Sequence, residues 1–64
     1  MAKKFAIANK QSPPAYFTSR GYPNRLPLFE ATKPQDAFQF LSFNEAHIFG
    51  LDNFEIDFEV IETI

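Results

Sequence analysis

No cysteine occurs among the 64 residues, and there is only one histidine. Neither a disulfide nor a structural zinc site can therefore staple the chain. A domain this short buries only about 60% of the surface its unfolded chain exposes. The fold must rest on apolar packing alone. Nine Phe residues meet that need, because aromatic side chains bury the most area per residue. The hydrophobic fraction of 45% is that of an ordinary globular chain rather than a disordered one. The length is room for one domain, residues 1–64.

Local patterning predicts mostly strand. Phe5, Ile7 and Asn9 alternate with Lys4, Ala6, Ala8 and Lys10, the period-2 signature of a half-buried strand. Gln11-Ser12-Pro13-Pro14 ends that ladder, because proline cannot donate a backbone hydrogen bond. Ala15 to Arg20 reads as a second strand, rich in Tyr16, Phe17 and Thr18 and linked to the first as an antiparallel hairpin. Residues 21–27, Gly-Tyr-Pro-Asn-Arg-Leu-Pro, read as loop. Leu28 to Thr32 is expected as a short edge strand, Lys33 to Asp36 as a turn and Ala37 to Leu41 as another strand.

A capping box follows in Ser42-Phe43-Asn44-Glu45, with Leu41 and Ala46 at the hydrophobic-staple positions. It predicts a short helix over 43–49, stopped by Gly50 in the left-handed region. Phe54, Ile56, Phe58 and Val60 then alternate with Glu55, Asp57 and Glu59, which predicts a strand with one apolar and one acidic face. The expected fold is α+β: an antiparallel sheet of three to four strands with one short helix packed on it.

Charge is divided along the chain. Residues 1–33 carry six cations against Glu30, a net of +5, and residues 34–64 carry seven acids and no Lys or Arg, a net of −7. Such asymmetry marks either a partner-binding surface or two halves paired within one sheet. The second reading is favoured, with the Lys4 and Lys10 side of the first strand beside the acidic face of the last. Met1-Ala2-Lys3-Lys4 is followed only by the short apolar run Phe5–Ala8, too short for a signal peptide or a membrane span. A cytoplasmic location is expected.

Three stretches resemble a loose class of very small ββ(β)αβ accessory proteins of tailed bacteriophages and prophages. They are Tyr16-Phe17-Thr18-Ser19-Arg20-Gly21-Tyr22, Ala37-Phe38-Gln39-Phe40-Leu41-Ser42-Phe43-Asn44-Glu45-Ala46, and the closing Phe58-Glu59-Val60. The matches cover about half the chain, and the insert Pro23–Gln35 departs from the pattern. The resemblance implies a fold, a mobile-element origin in the host cell cytoplasm and a lean toward binding host proteins. It supplies no catalytic residues.

The residues themselves point the same way. Glu55, Asp57 and Glu59 on one strand face sit roughly 7 Å apart in sequence-ideal geometry, too far to share a magnesium ion without leaning in. The same row could imitate one strand of phosphates at best, since duplex DNA places about one charge per 1.7 Å of axis. His47 has no Ser or Cys nucleophile set beside it, and two glycines in all leave no phosphate loop. No catalytic, metal or cofactor site is expected. The expected function is a non-enzymatic protein-interaction module, an inhibitor or modulator of a host protein. The alternative is a small nucleic-acid-binding protein using an aromatic–basic loop. The protein-binding reading places the surface at Tyr16, Arg20, Tyr22, Arg25, Leu26 and Phe29, where aromatics stand beside arginines as they do in interface hot spots, with the acidic face of the last strand as the next candidate. The nucleic-acid reading draws on Arg20, Arg25 and Lys33 near Tyr16, Tyr22 and Phe29. No membrane partner is expected, and a homodimer stays open.

Overall fold

The computed structural model describes residues 3–20 and 26–63. Its elements run β1 (Phe5–Asn9), β2 (Tyr16–Arg20), β3 (Pro27–Ala31), a 3₁₀ turn (Pro34–Asp36), α1 (Phe43–Asn53) and β4 (Phe58–Glu62). The strands form one antiparallel sheet in the order β3-β2-β1-β4, and α1 lies on one face of it. This is the expected α+β fold with four strands. The terminal strand lies beside the first, as the charge pattern suggested, in the register Phe5↔Glu62 to Asn9↔Phe58. β3 is an edge strand, also as expected.

The hairpin of β1 and β2 is held by Asn9, a buried polar residue. Its Oδ1 accepts from the Ala15 N–H at 2.9 Å and the Gln11 N–H at 3.4 Å, which satisfies donors that the Ser-Pro-Pro link leaves outside the ladder. Beyond the Ala8↔Tyr16 pair the two strands part. Residues 38–40 fill the gap: Phe38 N–H donates to Phe17 O at 2.9 Å, and Phe5 and Phe40 exchange bonds of 2.9 and 2.8 Å. The strand expected at Ala37–Leu41 is thus reduced to an isolated bridge. The stretch is extended, but it mends a splayed sheet instead of adding a strand.

Two further expectations are corrected. The helix does not stop at Gly50 but runs eleven residues to Asn53, and no described glycine has a positive φ. Gly50 is a buried helical residue packed against the Phe58 ring. The terminal strand begins at Phe58, not Phe54. Phe54 is the C-cap of α1, its N–H bonded to Gly50 O at 2.9 Å. Glu55, Ile56 and Asp57 form the turn between helix and strand, so of the three expected acids only Glu59 lies on β4. The predicted N-cap is in place, with the Glu45 N–H donating to Ser42 Oγ at 3.1 Å.

The core lies between α1 and the sheet. Ile7, Phe17, Phe40, Ala46 and Phe54 are buried there, with Phe5, Phe29, Phe49, Phe58 and Val60 packed on them. Phe17 is the hub: its ring meets Phe29, Phe38, Phe49 and Phe54 at 5.2 to 6.2 Å in tilted or edge-on contacts, the geometry that aromatic quadrupoles favour. The opposite sheet face carries a smaller cluster of Ala6, Ala31 and Ala37 with Tyr16 and Ile61. That cluster is closed by Gln39, whose Nε2 donates to Pro34 O and Ala37 O while its Oε1 accepts from Thr63 Oγ1 at 2.7 Å.

Candidate functional site

Among the described residues, Tyr16 and Phe29 of the set singled out from the sequence lie on opposite faces of the sheet. Tyr22 and Arg25 lie outside the described residues. Arg20 closes β2 and Leu26 is exposed just before β3. Phe29 packs in the helix-side core against Phe17 and Phe54. Tyr16 belongs to the alanine cluster on the other side of the sheet. Successive strand residues point to opposite faces, so Tyr16 and Phe17 part company, and Phe17 takes Phe29 with it.

Leu26 is 59% exposed and Phe38 52%, and the other large exposed apolar side chains lie elsewhere. Leu41 is 70% exposed, Leu51 63%, Ile48 56%, Ile56 51% and Phe43 50%. All five sit on or flank α1. Ile48 is three before Leu51, so the two neighbour each other on the outward side of the helix, while Phe43, whose ring meets Phe5 at 6.2 Å, lies at its margin toward β1. The inward side is made by Ala46, Phe49 and Gly50. The helix is therefore apolar on both sides, which folding alone does not require. Leu41, at the staple position, is left to solvent rather than closed on Ala46. Phe43 stacks on His47 with ring centroids 5.7 Å apart, and His47 in turn lies 6.1 Å from the Phe58 ring.

Where α1 ends, this face opens into a cleft of about 300 Å³. Its walls are His47, Leu51, Phe54, Ile56 and Phe58, and its charge comes from Glu55 and Asp57. Ile56 and Asp57 also border a second cleft of about 230 Å³, reaching Asn9, Lys10 and Gln11. The turn after the helix is thus a ridge between two hollows.

The helix and the turn after it are acidic, with Lys10 bordering the same cleft as Asp57. Residues 41–57 carry Glu45, Asp52, Glu55 and Asp57 against no Lys or Arg, a formal charge of −4. The expected pairing of Lys4 and Lys10 with the acids is not made by ion pairs among the described residues. The ion pair found among the described residues joins Lys3, just before β1, to Glu62 of β4, 3.9 Å apart and exposed. Among the described residues no three metal-ligating side chains converge, and no described helix is long and apolar enough to cross a membrane.

A helix that stops at Gly50 leaves Leu51 in a loop and Ile48 alone, so the outer face of α1 emerges only with the helix extended to Asn53. The signal was present as Ile48 and Leu51 in a segment whose inward positions were already filled. Comparison with protein-family models, with curated proteins and with solved structures returns no match.

Proposed function

We propose that this chain is a non-enzymatic protein-interaction module that docks a partner protein on the outer face of α1 and the turn after it. It acts in the cytoplasm as an inhibitor or modulator of a host protein. The observation that carries this reading is the set of large apolar side chains, each at least half exposed, that α1 carries at Phe43, Ile48 and Leu51 and that flank it at Leu41 and Ile56. Contiguous apolar patches framed by charge are the usual mark of an interaction site, and these five already have a filled core behind them. Nucleic-acid binding through an aromatic–basic loop draws less support, because Phe29 is committed to the core and Tyr16 packs on the other face.

The test is capture from nuclease-treated bacterial lysate by the wild-type chain, by an Ile48→Glu/Leu51→Glu variant and by Leu26→Glu. The expected result is a protein captured by wild type and by Leu26→Glu and lost with the helix variant, while all three keep the same melting midpoint. Capture that depends on nucleic acid, or that survives the helix variant, contradicts the reading.

A further inference from the structure

We infer that the cleft at the end of α1 receives an arginine side chain from an amphipathic segment of the partner. This rests on the docking reading above and adds the partner's chemistry to it.

Three independent features meet in the cleft. The first is its size. At about 300 Å³ it stands at the lower end of cavities that hold small ligands, so it takes one long side chain while the rest of the segment lies on Ile48 and Leu51. The second is its wall. The Phe54 and Phe58 rings meet edge-on at 5.7 Å, and the His47 ring stands 6.1 Å from Phe58. A guanidinium is planar and weakly hydrated, and stacks on aromatic surfaces of this kind more readily than a compact ammonium does. Glu55 and Asp57 add carboxylates that a guanidinium can engage through two parallel hydrogen bonds.

The third is a charge arrangement that works against the helix itself. The carboxyl end of an α-helix is the negative end of its dipole, where cations stabilise and anions do not. The last turn of α1 has no basic residue. It has Asp52, with Glu55 and Asp57 close behind. Local stability gains nothing from acids placed there. A cation bound in the cleft gains from Glu55 and Asp57, which line it, and sites that break a local rule of this kind are where function is expected.

The same charge decides among other occupants. A second copy docking face to face would set four acids against four acids across a two-fold axis. An anionic membrane or a nucleic acid backbone would be repelled in the same way. A cationic partner is drawn in, with a range set by a screening length of about 8 Å at physiological salt.

The experiment selects a random dodecapeptide library on the immobilised chain, with the Ile48→Glu/Leu51→Glu variant as the counter-target. Enriched peptides are expected to carry an arginine among apolar residues. A synthetic copy should bind at least about tenfold more weakly to Glu55→Gln/Asp57→Asn. It should lose as much when its arginine is replaced by citrulline, and less when lysine replaces it. Binders that need Ile48 and Leu51 but carry no cation, or ignore the loss of both carboxylates, would overturn the arginine inference and leave the docking face standing. Failure to enrich anything over the counter-target would count against both. Sedimentation of the chain alone, and with anionic lipid vesicles, completes the test. A dimer or a vesicle complex abolished by Ile48→Glu would give the face to those occupants and overturn the inference.

Discussion

Gly50 lies so close to the Phe58 ring that a β-carbon on residue 50 would clash with the far end of that ring. The contact joins α1 to β4 and explains a glycine in mid-helix, where it forgoes about 1 kcal/mol relative to alanine.

Gly50→Ala is therefore expected to destabilise despite its better helix propensity. Overpacking costs typically about 1–3 kcal/mol, so against the propensity gain a net loss of up to about 2 kcal/mol should appear in urea titration. Phe58→Leu should make the same Gly50→Ala change less costly, with a coupling of about 0.5–3 kcal/mol. A stabilised Gly50→Ala single variant would contradict the close approach.

The N-cap gives a second expectation. Ser42→Ala removes the acceptor of the Glu45 N–H and should cost about 1 kcal/mol. In a domain of this size that lowers the melting midpoint by about 4–8 °C. Ser42→Asp keeps an acceptor and should lie close to wild type. An unchanged midpoint in Ser42→Ala would mean that the first turn does not depend on this bond.

The third expectation ranks charge against hydrogen bonding. The Lys3–Glu62 pair is long and exposed on both sides, so Glu62→Gln should shift stability by no more than about 0.5 kcal/mol. Lys4 contributes mainly its carbonyl, which accepts from Thr63 N–H at 2.8 Å and Thr63 Oγ1 at 3.2 Å. Lys4→Glu should thus be equally mild. Gln39→Ala breaks three bonds that tie the 3₁₀ turn to the end of the chain, and should cost about 1–3 kcal/mol. Denaturant midpoints in the reverse order would contradict this account of the back face.

What was legible in the sequence follows from range. β1, β2, the edge strand β3 and the cap at Ser42 are written in neighbouring residues, as alternation, proline breaks and Ser-x-x-Glu. The run from Phe54 to Val60 is also alternating, yet its first half is not strand. Phe54 is buried because it follows Ala46 and Gly50 at helical spacing, and Ile56 is exposed in a turn. Over four residues the two periods coincide, and only the true end of the helix separates them. That end depends on Gly50, whose role is set by a ring eight residues later. The same misplaced boundary hid the outer face of α1, since Leu51 belongs to a surface only once the helix reaches it.

The docking surface on α1 is tested most directly by amide shift mapping of the ¹⁵N-labelled chain on titration with the arginine-bearing peptide selected above. Perturbations are predicted to centre on His47, Ile48, Leu51, Ile56 and Asp57, with the amides of Leu26, Leu28, Phe29 and Tyr16 unmoved. Shifts centred on Leu26, Leu28, Phe29 and Tyr16, with α1 unchanged, would contradict the proposal and return the binding surface to the β2–β3 side of the sheet.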